Sequence, residues 1–74
     1  MIVVYSKPNC VQCDATQKEM DRREIPYTYV DITKDSDAME KVMSMGYKQA
    51  PVVVTESDHW SGFRPDKIMS LKSA

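Results

Sequence analysis

The sequence predicts an α/β fold, a mixed four-stranded sheet flanked by three helices in the order β-α-β-α-β-β-α. Three observations carry this. Short runs rich in β-branched and aromatic residues recur along the chain, stretches of good helix formers with polar caps separate or follow them, and proline or glycine stands at most of the borders. With 74 residues and no repeat, low-complexity tract or Gly/Ser-rich linker, the chain reads as one domain over 1–74.

Each element follows from its own residues. Ile2, Val3, Val4 and Tyr5 form a first buried strand, stopped by Ser6, Lys7, Pro8 and Asn9. Residues 10–24 contain no proline or glycine, and Asn9 is placed to cap a first helix with Gln12 three residues on. Its apolar stripe is thin, with only Cys13, Thr16 or Gln17, and Met20 in line. Pro26 stops that helix, and residues 27–32, rich in strand formers, make a second strand. Asp35 or Asp37 then caps a second helix with Ala38, Met39, Val42, Met43 and Met45 as its apolar stripe and Gly46 at its end. The six methionines of the chain serve first as core filling. A third strand spans 51–55, where Pro51 is acceptable as the opening residue. Glu56, Ser57 and Asp58 turn the chain into a return strand over 59–63. Pro65 opens a last helix with Ile68 and Leu71 facing inward. The first β-α-β segment makes a right-handed parallel unit and the close pair at the end an antiparallel hairpin. Sites in such sheets gather beyond the carboxyl ends of the parallel strands, and Cys10 stands there.

Composition excludes several classes of function. Ten Lys+Arg against eleven Asp+Glu leave a net charge of −1, so no broad field gathers phosphates or anionic lipid. Arg22 and Arg23 belong to a mixed-charge helix surface. The longest unbroken apolar stretch, residues 1–5, is far short of a membrane span, and Lys7 with Pro8 breaks any signal-like segment, so a cytoplasmic location is expected. A domain this small encloses no large internal pocket, which puts its chemistry at the surface.

Two cysteines remain, Cys10 and Cys13. A bridge between them closes too small a loop to constrain the unfolded chain, so a structural staple is not expected. Cys10 lies in the first helical turn, where free N–H groups and the helix dipole favour negative charge on sulfur. A helix terminus supplies at most ~2 kcal/mol, which places the Cys10 thiol at about 7 rather than about 8.5. Val11 and Gln12 add no cation, and a reductant with a potential nearer roughly −270 mV than roughly −120 mV is expected. Cys13, one turn deeper on the same face, is within disulfide reach. Exposed Cys10 thus attacks a target disulfide, and sheltered Cys13 resolves the mixed disulfide. No proton acceptor for Cys13 is identifiable, and Asp14 is a neighbour in sequence only. A zinc site needs four ligands, and two cysteines with the single His59 do not supply them in one chain, so no metal is expected. His59 reads as a half-exposed strand histidine.

Three motifs in this order resemble the NrdH-type redoxins, glutaredoxin-like proteins of the thioredoxin fold. They are Cys-Val-Gln-Cys from Cys10 to Cys13, Gln49-Ala50-Pro51-Val52-Val53, and Trp60-Ser61-Gly62-Phe63-Arg64-Pro65-Asp66. The resemblance implies a monomeric electron donor to the large subunit of class Ib ribonucleotide reductase, itself reduced by thioredoxin reductase and NADPH. It implies no cofactor beyond the redox-active pair, no nucleic acid and no membrane. It also implies that Pro51 is a cis-proline beside the cysteines, whereas composition alone reads an ordinary strand opener. The partner surface implied comprises Lys7, Val11, Gln12, Ala50, Pro51, Trp60, Ser61, Gly62, Phe63 and Arg64. For Trp60 and Phe63 core packing is an equal reading. Arg64 holds its loop through hydrogen bonds or is solvated, and Lys7 adds positive potential beside Cys10 or is merely exposed. Glutaredoxins proper bind glutathione through a glycine pair and a following acidic residue near the last helix, which this chain replaces with the Trp60 to Arg64 segment. A glutathione-dependent glutaredoxin is the nearest alternative, and a zinc-linked or scaffold module of the same shape the non-enzymatic one.

Overall fold

In the computed structural model, which describes residues 1–71, the elements follow the expected order. They are β1 (Val3–Ser6), α1 (Val11–Arg22), β2 (Thr28–Asp31), α2 (Ser36–Ser44), β3 (Val52–Val54), β4 (His59–Ser61) and α3 (Pro65–Ser70). The four strands form one sheet in the order β2-β1-β3-β4, with β1 and β2 parallel and the other two pairings antiparallel. Val4 pairs with Val53 and Val53 with Trp60, so one row of side chains crosses three strands on a single face.

Alternation along the strands splits the core in two. On one face Val4, Val53 and Trp60 pack with Met20 of α1, Ile68 of α3 and Ile25, and Leu71 closes the edge as expected for the last helix. On the other, Tyr5 and Val52 pack with Ile32 and with Ala38 and Val42 of α2. Helices α1 and α3 therefore cover one face and α2 the other.

Asp35, one of the two candidates, caps α2 by accepting a bond from the Ala38 amide at 3.0 Å. Gly46 follows the end of that helix at φ 92°, the conformation that favours glycine there. Its apolar stripe is narrower than the spacing suggests, because Ala38 and Val42 are buried while Met43 is 62% exposed. Only the side of α2 directly over the sheet is covered.

Several boundaries differ from the sequence reading: β1 runs on to Ser6 instead of stopping before it, β2 and β3 are each shorter by a residue at both ends, and three further differences have a backbone cause. Helix α1 is capped not by Asn9 but by Cys10, whose sulfur accepts the Cys13 N–H at 3.1 Å. Asn9 instead sits at φ 57°, turning the chain into the helix. The helix ends at Arg22 because Arg23 caps it and Glu24 takes φ 58°. Strand β4 stops at Ser61 because Gly62 adopts φ 87°, a bend that breaks the extended run before Phe63.

Candidate active site

The loop from β1 to α1 delivers Cys10 to the carboxyl end of β1, and the helical turn that follows places Cys13 beneath it. The two are joined as a disulfide with Cα atoms 5.2 Å apart. The expectation of an exposed Cys10 is corrected: Cys10 is 9% exposed and Cys13 1%, so both are buried, Cys10 the less deeply, because the chain folds back over it at Ala50. Because Cys10 is itself the helix cap, negative charge on its sulfur faces the free N–H groups of the first turn directly. The Asp14 amide donates to the Cys10 carbonyl at 3.1 Å, while the Asp14 side chain is exposed.

Across from the pair, the Ala50–Pro51 peptide is cis, and the Ala50 carbonyl oxygen lies 3.9 Å from the Cys10 sulfur. When Cys10 is a thiol, that oxygen is an acceptor for its S–H. A groove of about 330 Å³ runs beside Cys10, lined by Lys7, Cys10, Val11, Gln12, Gln49 and Ala50. Val11 is 83% exposed at its rim, a large apolar side chain offered to solvent beside the reactive sulfur. Lys7, in the same lining, is also exposed. An adjoining apolar groove of about 200 Å³ shares Lys7, Gln49 and Ala50 and adds Met43 and Tyr47 of the α2 end. Sequence reasoning did not single out Met43, Tyr47 or Gln49 for the site, since no spacing ties them to the cysteines.

The third motif divides. Ser61, Gly62 and Phe63 bond to the walls of the site: the Phe63 amide donates to the Gln12 Oε1 of α1 at 3.2 Å, and the Gly62 amide to the Pro51 carbonyl at 2.8 Å. The Ser61 hydroxyl donates to the Gln49 carbonyl at 3.4 Å. These bonds tie the loop before α3 both to the cysteine motif and to the cis-proline. Trp60 is a different case, and the structure corrects its place on the partner surface. Its side chain is 4% exposed within the core row, so its contribution is packing. Phe63 is half-buried against the same core. Arg64 turns outward and binds Asp66 through Nε at 3.2 Å and Nη2 at 3.0 Å, holding that carboxyl below its ordinary range. It is thus both hydrogen-bonded, to a near neighbour in sequence, and largely solvated. His59 is exposed and accepts or donates at Nδ1 to the Tyr47 hydroxyl at 2.6 Å, a pairing away from the sulfurs' groove. Among the described residues no group of three or more His, Cys, Asp or Glu side chains is placed to hold a metal ion, and no helix is long and apolar enough to cross a membrane.

Gly62 is the tightest point of this knot. A Cβ there would lie 3.3 Å from the Gln12 Oε1, on a backbone at φ 87°. Gly62→Ala is expected to cost about 1–2 kcal/mol through that backbone conformation and to loosen the Gln12 contact. Urea unfolding of the variant, with its midpoint shifted down at unchanged slope, checks it.

Chemically, the arrangement is suited to thiol–disulfide exchange, which with the less buried sulfur attacking first would run in two steps. A Cys10 thiolate attacks one sulfur of a target disulfide, forming a mixed disulfide and releasing the first target sulfur as a thiolate. Cys13 then gives up its proton and attacks the Cys10 sulfur, which closes the Cys10–Cys13 bond, releases the second target sulfur and leaves the target reduced by two electrons.

Known proteins agree with this geometry. The Glutaredoxin family model matches residues 2–60. The glutaredoxin-like protein NrdH of Lactococcus lactis subsp. cremoris is 38% identical over 71 residues, covering 96% of this chain and 99% of that protein. Its counterpart in Escherichia coli K12 is 37% identical over 73 residues, covering 99% and 90%. The solved structure of the Escherichia coli NrdH-redoxin, a protein described as glutaredoxin-like with a thioredoxin-like activity profile, superposes with a TM-score of 0.94 at 37% identity over 99% of this chain and 96% of that one. With the thioredoxin fold and a Cys-Val-Gln-Cys disulfide at the head of α1, the chain belongs to the glutaredoxin family, among its NrdH-type redoxins, and is a disulfide oxidoreductase.

Proposed function

We propose that this redoxin is the electron donor to the large subunit of a class Ib ribonucleotide reductase and is recycled by thioredoxin reductase and NADPH. In this reading it acts as a cytoplasmic monomer whose only redox centre is the Cys10–Cys13 pair, with no further cofactor, no nucleic acid and no membrane. The end-to-end likeness to NrdH proteins is the observation that carries the reading. The form of the groove supports it. Exposed Val11, Lys7, Gln12 and the Ala50 carbonyl surround the sulfurs and offer a partner both apolar area and backbone pairing. Pro51, Ser61, Gly62, Phe63 and Arg64 support that surface, the first four by fixing the groove wall and Arg64 by its exposed guanidinium at the start of α3.

Glutathione is the rival reductant. Where a glycine pair and an acidic residue serve it in glutaredoxins proper, this chain has Trp60 turned into the core and Gly62 and Phe63 tied to Pro51 and Gln12. One comparison tests the proposal. Disulfide reduction is followed by NADPH consumption with thioredoxin reductase in one arm, and with glutathione and glutathione reductase in the other. Sustained turnover in the first arm alone is expected, and turnover in the second alone overturns the partner assignment.

A further inference from the structure

Tyr47 and His59 form a surface pair that the exchange chemistry does not use. The Tyr47 hydroxyl lies 2.6 Å from His59 Nδ1, and the two rings meet edge to face with centroids 5.6 Å apart. A neutral imidazole accepts the phenolic hydrogen there and an imidazolium donates to the phenolic oxygen, so the bond is made in either state. What it joins gives it a meaning. The Tyr47 amide donates to the Val42 carbonyl at 3.2 Å and the Gly46 amide to the Met43 carbonyl at 2.9 Å, which fixes the Tyr47 backbone to the end of α2. His59 begins β4, opposite Val54. Alternation puts His59 and Ser61 on the face that α2 covers, with Trp60 on the other. The Tyr47 ring packs on the cluster of that face, which holds Val52, and so spans from the end of α2 to the edge strand of the sheet.

Three residues separate this anchor from Pro51, and two of them wall the site. Gln49 and Ala50 line both the groove beside Cys10 and the apolar groove next to it, and the Ala50 carbonyl stands 3.9 Å from the Cys10 sulfur. Among the described residues, 48–50 make no backbone–backbone hydrogen bond. Their place is set by the Ser61 hydroxyl, which donates to the Gln49 carbonyl at 3.4 Å, and by what holds the two ends. At one end the Gly62 amide holds Pro51; at the other the Tyr47 hydroxyl supplies the tie to β4.

We infer that Tyr47 and His59 are positioning residues for protein substrates: their bond holds the 48–50 wall where the chain flanking a target disulfide lies along it. The inference rests on the disulfide-exchange reading and not on the identity of the partner enzymes. A small disulfide reaches Cys10 without entering the adjoining groove, whereas a disulfide within a protein brings several residues of chain to it. Losing one neutral hydrogen bond lowers the ordered fraction of such a wall by at most about fivefold, and apparent affinity falls by the same factor.

The test is steady-state reduction of insulin, with dithiothreitol recycling the redoxin and the uncatalysed rate subtracted, beside the rate at which pre-reduced protein is oxidised by cystine. Tyr47→Phe keeps the ring and removes the hydroxyl. It is expected to raise the KM for insulin about fivefold with kcat unchanged, and to leave the cystine rate unaltered. His59→Ala should do the same, and the double variant no more than either alone. His59→Asn, which offers an acceptor at the position of Nδ1, should return the KM to within about twofold of wild type. A KM unmoved in the first two variants overturns the inference. So do effects that add in the double variant, or a cystine rate that falls in step with insulin turnover, which a general loosening of the fold produces. Wild-type protein that exchanges with neither insulin nor cystine sinks the exchange reading itself, whereas normal wild-type exchange with unchanged variants sinks only the role of the pair.

Discussion

Cys10→Ser is expected to reduce protein-disulfide turnover to the uncatalysed background, a loss of at least about a thousandfold. A serine hydroxyl at the same helix cap stays protonated near neutrality and forms no bond to sulfur that can be exchanged. Because Cys13 is 1% exposed, it does not take over the attack. Cys13→Ser should behave differently, since the attacking sulfur is kept and the resolving one removed. Incubation with a disulfide substrate is then expected to leave a stable mixed disulfide on Cys10, visible by intact mass as the added thiol, while multiple turnover stops. Steady turnover in Cys10→Ser, or a mixed disulfide found on Cys13 in the wild type, contradicts the assignment of roles.

Met20→Ala carries the largest expected cost to the fold. Met20 is fully buried where α1, α3 and the Val4–Val53–Trp60 row meet, so truncation removes the side chain that joins three elements. Large-to-alanine changes in such a setting cost about 2–5 kcal/mol. At roughly 0.05–0.15 kcal/mol per residue, a domain of this size has only about 4–11 kcal/mol in total. The variant should therefore lose between about a fifth and all of its stability, read as a thermal midpoint lowered by about ten degrees or more or as a chain unfolded at room temperature. A shift of a degree or two would mean that α1 is held to the sheet elsewhere.

Much of this architecture is legible in the residues because its signals are local. The Val-rich runs alternate or stay buried as strands do, Asp35 stands where a helix cap belongs, and Pro65 opens α3 at its first position. The cysteine pair is legible for the same reason, its function being written in a spacing of three. What escaped the sequence is what depends on contacts made at a distance. The Gln12 to Phe63 bond joins positions 51 residues apart, and nothing near either residue announces it. Trp60 resembles a partner-facing aromatic until the register with Val53 shows which face it occupies. Met43 keeps helical spacing with Met39 yet faces out, because α2 touches the sheet along a strip narrower than its apolar stripe. Asn9 has the chemistry of a cap, but its positive φ takes it out of that position. Sulfur is absent from the usual list of capping groups, so the true cap was hidden in the catalytic motif itself.

That substitution joins reagent and scaffold in a single atom. The sulfur that exchanges bonds with a substrate is also the one that receives the Cys13 amide, and it does so while already bonded in the disulfide. A change of Cys10 to alanine therefore strips the helix of its cap as well as the protein of its reagent, whereas serine removes the reagent alone.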